Sequence, residues 1–367
     1  MSNKIRIGII GCGQIAQQHM EAYSKIPDAE MVIFADLNET AARTSAEKYG
    51  VKDWTTDFRE LLKRDDVDAV DVCLHNNFHM PVTVESLKAG KHTYCEKPMA
   101  GSYRDAETMF NVAKETGKKL HIQLGTLYER ETRAARELIS EGVVGKLYHA
   151  RSVGHRRRGR PFVDGYGTPT FVQKRNSAGG ALYDMGVYHI SQSLFLLGNP
   201  TVKRISGKTY QEVDMDAGRK ATSGYDVEEI GLGFVRLSDN MTLDIIETWA
   251  ANLDKMDGTV LFGSKGGIRL QPFGFFSSVG HLDLNSTVDL GSAEFRWNNV
   301  AGDHSLYNHS QGHWIAALQG KVDLWPTAEI ALNTMLISEG IYMSQTEDRE
   351  VGADEVVAAS KSTAVTV

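Results

Sequence analysis

The segment Ile5-Arg6-Ile7-Gly8-Ile9-Ile10-Gly11-Cys12-Gly13-Gln14-Ile15-Ala16 constrains this chain more than any other stretch. An apolar, β-branched run passes into G-x-G-x-x-A and then into a helical pattern, the order of a parallel strand, a tight turn and a helix. Each small residue has its own reason. Gly11 allows the turn, Gly13 lets the backbone approach a diphosphate, and Ala16 permits close helix–strand packing. A helix opening at Gln14 and Ile15 offers unpaired N–H groups and a partial positive charge to phosphates. The second strand, 31–35, ends in Asp36, 20 residues after Ala16, where a carboxylate can accept bonds from ribose hydroxyls. That carboxylate repels a 2′-phosphate, and Leu37 and Asn38 bring no arginine to offset it, so the pattern favours NAD over NADP. The competing reading is structural: a turn that holds no ligand, with Asp36 only capping the next helix.

The chain has 367 residues, and roughly 100–200 residues per domain predicts two domains. Over residues 1–125, short runs near 4–10, 30–35, 69–74, 91–95 and 119–123 alternate with helical patterns. That is the grammar of an α/β Rossmann dinucleotide-binding domain, whose ligands sit at the C-terminal edge of the strands. Strands near 146–155, 202–210, 227–236, 241–250, 258–262 and 267–271 then follow one another, with one clear helical stretch, 179–198, among them. This predicts an α+β substrate-binding and oligomerisation domain over 126–367 built on an open antiparallel β-sheet. Its last helices, about 309–319 and 327–345, are expected to pack back on the first domain. The tail after Val351 reads as a short helix with a frayed end.

Several classes drop out on composition. A net charge of −7 gives no field for nucleic acid or an anionic membrane. No apolar run approaches the roughly 20 residues that span a bilayer. Cys12, Cys73 and Cys95 are too few and too scattered for a disulfide framework or a thiolate zinc site. A cytoplasmic protein held by packing is expected, without a metal.

Two motifs end strands at the expected ligand edge. Leu74-His75-Asn76-Asn77-Phe78-His79 follows the fourth parallel run, and Cys95-Glu96-Lys97-Pro98 follows the fifth. Proline disfavours helical geometry at Lys97. Farther on lies Gly179-Gly180-Ala181-Leu182-Tyr183-Asp184-Met185-Gly186-Val187-Tyr188-His189. Together with Gly11, Gly13, Ala16 and Asp36, these residues resemble the glucose-fructose oxidoreductase/inositol dehydrogenase (Gfo/Idh/MocA) family over essentially the whole chain. The resemblance implies NAD held by Gly11, Gly13, Gln14, Ile15, Asp36, Leu74, Asn76, His79, Glu96 and Lys97. It implies hydride transfer with a ring hydroxyl of a sugar, glycoside or cyclitol, and a homodimer or homotetramer. It places Lys97 at the reacting hydroxyl and Asp184 beside the substrate. The family's histidine four residues after the aspartate is Tyr188 here, as in some relatives, with His189 one step on.

On a regular helix Asp184 and Tyr188 are i and i+4 and share a face, while His189 is turned about 100° away. A Lys97–Tyr188 relay oriented by Asp184 is therefore expected, with the ammonium lowering the phenol pKa, and His189 as the alternative base. Gly179, Gly180 and Gly186 are expected to let this helix approach the nicotinamide. In His155-Arg156-Arg157-Arg158-Gly159-Arg160, a solvated face competes with substrate binding by Arg156, Arg158 and Lys174. His304, His309 and His313 could face a metal but lack the carboxylate spacing of a zinc hydrolase, and Trp249 reads as sheet packing. Two other uses of the same fold stay open: a permanently bound NAD that oxidises transiently, as in a sugar–sugar hydride swap or redox-assisted glycoside elimination, and a non-enzymatic NAD or sugar sensor.

Overall fold

The computed structural model describes residues 4–300 and 309–367. Six strands, β1 (Ile5–Ile10), β2 (Ala29–Ala35), β3 (Asp53–Thr55), β4 (Ala69–Val72), β5 (His92–Cys95) and β6 (Leu120–Ile122), form one parallel sheet in the order β3-β2-β1-β4-β5-β6. β1 is central and its Ile7 and Ile9 are fully buried, as a strand covered by helices on both faces must be. The helix Gln14–Ser24 lays Ala16, His19, Met20 and Tyr23 on the sheet, an i, i+3, i+4, i+7 stripe. β3 has no counterpart among the expected strands: it is three residues long and carries the exposed Trp54.

The second sheet has nine strands. β7 (Leu147–His155), β8 (Val202–Tyr210), β9 (Ile230–Leu237), β10 (Thr242–Thr248), β11 (Val260–Gly263) and β12 (Gly266–Arg269) are joined by β13 (Gly274–Val279), β14 (Leu282–Ser286) and β15 (Val351–Gly352). The order is β14-β13-β12-β11-β7-β10-β9-β8-β15. It is antiparallel throughout except for β7 and β10, which run parallel with Thr242 opposite His149 and Thr248 opposite His155. The long helix Thr327–Glu347 covers one face: Ile341 fills the space beside Gly207 and Gly233, and Ile205 fills that beside Gly340.

The same helix reaches the first sheet through Thr327, whose hydroxyl oxygen accepts the Ile122 N–H at 3.0 Å. The tail beyond the helix Ala353–Ala359 is not frayed. Thr363 donates its N–H to Asp105 at 2.8 Å and its hydroxyl to Asn77 at 2.9 Å, and Arg59 reaches the Val367 carbonyl at 2.8 Å.

Candidate active site

At the C-terminal edge of the parallel sheet, Gly11 has φ +94°, and a Cβ there would strike the Cys73 carbonyl. Gly13 caps the helix Gln14–Ser24 without a side-chain bond, and a Cβ on it would meet nothing within 4 Å. Open space therefore faces unpaired N–H groups, which is what a diphosphate needs. Asp36 accepts the Cys12 N–H at 2.7 Å and the Asn38 N–H at 2.8 Å, so its carboxylate is oriented beside that loop. This cradle fits NAD.

Leu74 is half-buried after β4. The Asn76 amide donates to the Ser177 carbonyl at 2.6 Å, tying the sheet edge to the second half of the chain. His79 is buried, with Nδ1 2.7 Å from the Pro98 carbonyl and Nε2 3.0 Å from the Leu74 carbonyl. The structure brings both residues to the expected edge. It commits the Asn76 amide and both His79 nitrogens to backbone, so what they do here is fix the loops.

Lys97 crosses to the second half of the chain, where Nζ donates to the Asp184 carbonyl and to Oδ1, each at 3.0 Å. Asp184 Oδ2 accepts the Trp249 indole N–H at 2.9 Å and lies 3.9 Å from the Arg156 guanidinium. The Lys97 ammonium stands over the Tyr188 ring, 4.5 Å from its centre. His189 Nδ1 is 2.9 Å from Glu247, and the other Glu247 oxygen accepts the Ser152 hydroxyl at 2.8 Å.

The helix carrying these groups is not regular. Leu182–Gly186 forms a π-helical turn before the α-helix Val187–Leu196. Such a turn inserts one residue, so i and i+5 come to the same side. The contacts agree: His189 meets Glu247 on β10 and Asp184 meets Trp249, two positions on at the exit of that strand. His189 thus reaches Glu247, while Lys97 meets both Asp184 and Tyr188, so the three groups expected together lie together.

Electrostatics follow from that geometry. Burial alone would discharge Lys97, but Asp184, Tyr188 and Glu96 outweigh it and raise its pKa. Burial likewise opposes the Asp184 carboxylate, yet Lys97 and Arg156 hold it below its ordinary range. For His189 burial lowers the pKa and Glu247 more than restores it, a net rise. Tyr188 moves opposite to expectation: burial raises its pKa, and Lys97 offsets only part. At neutral pH it is a phenol.

The basic run splits. Arg156 faces Asp184 and bonds to the Gly159 carbonyl at 3.2 Å and to the Tyr166 hydroxyl, whereas Arg157 and Arg158 are exposed. Lys174 is exposed too, 5.7 Å from the Tyr342 ring. Arg160 is 1% exposed and binds Asp164, Glu229 and the Val213 and Asp214 carbonyls, anchoring the loop that presents Arg156 and Tyr166.

Cβ atoms at Gly179, Gly180 and Gly186 would meet Tyr342 and Tyr183, the Glu228 carbonyl, and Glu247, so these glycines allow close contact with the second sheet and the long helix. His309 Nδ1 accepts the Gly312 N–H at the start of the helix Ser310–Leu318, and His313 Nε2 accepts the Trp325 N–H at 3.0 Å. His304 lies outside the described residues.

Sequence reasoning missed Glu247 and the polar role of Trp249. A signal existed: Leu243, Ile245, Glu247 and Trp249 alternate along β10 and its exit, putting a carboxylate at a core-facing position.

Residues 5–124 match the model of the oxidoreductase family with an NAD-binding Rossmann fold, and residues 132–269 match the GFO/IDH/MocA C-terminal domain. The chain belongs to the Gfo/Idh/MocA oxidoreductases. Among curated members it is 30% identical to the D-glucoside 3-dehydrogenase of Escherichia coli (strain K12), over 94% of this chain and 96% of that one. It is 29% identical to the 1,5-anhydro-D-fructose reductase of Ensifer adhaerens, over 88% and 93%. Among solved Gfo/Idh/MocA-like folds, the oxidoreductase domain protein from Kribbella flavida superposes with a TM-score of 0.79 at 21% identity, covering 96% and 99% of the two chains. The Rossmann domain of this family member is NAD-binding.

Proposed function

We propose that this protein transfers a hydride between NAD and a secondary ring hydroxyl of a sugar, glycoside or cyclitol. The reading rests on one observation: Lys97, where the fifth parallel strand ends, is bonded to Asp184 and stands over Tyr188, with a Glu247-held His189 next along the same helix. Two full-length relatives, named for a D-glucoside and for 1,5-anhydro-D-fructose, support a sugar.

Bound NAD supplies the hydride acceptor. Losing hydride from carbon requires the hydroxyl proton to leave for a positioned base. Glu247 takes the Nδ1–H of neutral His189 and so leaves Nε2 as acceptor for that proton. Lys97, kept charged by Asp184, stabilises the negative charge developing on the oxygen. Tyr188 serves as a neutral wall, its ring face shielding the Lys97 ammonium from water. Arg156 and Tyr166, both on the anchored loop, supply hydrogen-bonding groups for a polyhydroxylated ring.

Absorbance of NADH with a panel of inositols, monosaccharides and aryl glycosides tests the reading. Substrate-dependent NADH that is abolished in His189→Asn and retained in Tyr188→Phe is expected. Sugar conversion without NADH release would overturn net dehydrogenation, and a dead Tyr188→Phe beside an active His189→Asn would reverse the proton carrier.

The outer face of the second sheet exposes Phe234 and Phe262, with Leu232 and Ile246 half-buried beside Phe234. Among the described residues no helix covers that side. We assign it to a second copy of this chain, as a homo-oligomer built sheet to sheet. No described helix is long and apolar enough to cross a membrane.

A further inference from the structure

Beneath Lys97, and outside the cluster assigned above, three ionisable side chains are packed into the parallel sheet. His19, on the helix that opens the diphosphate loop, is 2% exposed; Asp71 on β4 is 0% and Glu96 after β5 is 3% exposed. His19 Nδ1 lies 2.8 Å from Asp71, and His19 Nε2 lies 2.8 Å from Glu96 Oε1. The second Glu96 oxygen accepts the backbone N–H of Lys97 at 2.9 Å. A neutral imidazole has one N–H and could satisfy only one of two carboxylates, leaving a lone pair against the other. Hydrogen-bond distances at both nitrogens, away from water, require a proton on each.

We propose that His19 is a positioning residue for hydride transfer: as a buried imidazolium clamped between Asp71 and Glu96, it keeps Glu96 ionised and through it fixes the backbone and the charge of Lys97. The result is a line of alternating charge from the sheet interior to the substrate edge: Asp71, His19, Glu96, Lys97, Asp184. Burial opposes the charges on His19, Glu96, Lys97 and Asp184, and a neighbour offsets it at each: Asp71 raises the His19 pKa, His19 lowers that of Glu96, and Glu96 with Asp184 raises that of Lys97. The other titratable groups packed around His19 are Cys73, 3.4 Å away, and Tyr94, edge-on at 5.6 Å, with Tyr23 facing Asp71; around Lys97 they are Tyr188 and Tyr166. Without His19, Glu96 is a lone desolvated carboxylate that takes up a proton, and Lys97 loses a negative neighbour.

The inference rests on Lys97 acting at the reacting oxygen. It is tested in two ways. Nitrogen-15 spectra of histidine-labelled protein at pH 8.5 report ring protonation without turnover, and a signal from an imidazole protonated at both nitrogens that disappears in His19→Asn is expected. A wild-type spectrum showing every imidazole neutral overturns the proposal. The pH profiles of His19→Asn and Glu96→Gln form the second arm. Both should lose about 10–100-fold in kcat, less than or comparable to removal of a proton-transfer group. Both should also move the basic limb, where Lys97 deprotonates, to lower pH, and in His19→Asn the KM for NAD should stay within about twofold of wild type. Lowered thermal stability with an unmoved basic limb means a merely structural histidine and overturns the role. If His19→Asn does not fold, Glu96→Gln, which keeps an amide in the same space, and the wild-type spectrum decide. Failure of wild type to oxidise any sugar defeats the reading of the active site instead, and the imidazole spectrum stands apart from it.

Discussion

Glu247 is fully buried and accepts the Nδ1–H of His189 at 2.9 Å. A carboxylate in that position fixes both the tautomer and the basicity of the ring. Glu247→Gln removes the charge that raises the His189 pKa, so the acid limb of kcat/KM, where the base protonates, should move to lower pH while the plateau falls. A group whose folded pKa is raised contributes stability that is present below its unfolded value, about 6.5, and lost as pH rises through the folded value. The substitution should therefore cost more stability at pH 6 than at pH 9. Thermal melts at both values check it; equal losses would show that no proton linkage operates.

Asp36 is held ready for a ribose by the Cys12 and Asn38 N–H groups, and the neighbouring Leu37 is 91% exposed with no charge to offer. Asp36→Ala should weaken NAD by the worth of a hydrogen bond to a charged group, about 1.5–3 kcal/mol, or roughly 10–100-fold in Kd. It should also narrow the preference over NADP, because the repulsion of a 2′-phosphate goes with the carboxylate. Titration calorimetry with both nucleotides reads the two effects separately. Unchanged NAD affinity would return Asp36 to a purely structural role in the loop.

Trp249 places its indole N–H on Asp184 from a fully buried ring. Trp249→Phe keeps an aromatic filler but leaves one Asp184 oxygen short of a donor, which costs about 1–3 kcal/mol in a buried site. The freed carboxylate should drift from Lys97, so kcat should fall while KM for NAD stays near wild type. Loss of stability with kcat intact would confine Trp249 to packing.

The parallel sheet was legible because its strands are buried on both faces and their apolar runs are punctuated by glycines and helical stripes. β3, β13 and β14 were not, since strands as short as Asp53–Thr55 or as exposed as Leu282–Ser286 bury too little apolar surface to stand out from turns. Within the candidate site, Lys97 and Asp184 were visible from their motifs. The π-helical turn was not. It depends on contacts distant in sequence, with buried Glu228 accepting the N–H groups of Gly180 at 2.8 Å and Leu182 at 3.0 Å. Pairing of His189 with a glutamate 58 residues away is likewise tertiary. A helical wheel drawn on a regular helix puts Tyr188 with Asp184 at Lys97, where it lies, but gives no sign that the next residue, His189, is held by Glu247.

Gly180 tests that dependence. Its Cβ would collide with the Glu228 carbonyl, a backbone atom that cannot swing aside. Gly180→Ala should destabilise by about 1–3 kcal/mol through overpacking and, by displacing the turn, carry Asp184 and His189 out of register. Turnover should then fall more steeply than NAD binding, as seen by comparing kcat with nucleotide affinity in the same preparation. Parallel loss of both would point to general unfolding.

Association through the outer sheet face is separable from chemistry, because Glu247 and Trp249 lie on the opposite side of β10 from Ile246. Phe234 and Phe262 sit on strands either side of the β7–β10 pair, flanking the Arg151–Asp244 ion pair at 2.6 Å. Introducing a carboxylate at each, Phe234→Asp with Phe262→Asp, sets four like charges into a two-fold contact where apolar rings would meet. Sedimentation equilibrium should show wild type as an oligomer and the double variant as a chain of 40.5 kDa. The NAD affinity of that monomer should be unchanged, since the diphosphate loop is on the other sheet. A wild type already monomeric at micromolar concentration, or a double variant with its mass unaltered, would place any self-association elsewhere on the molecule.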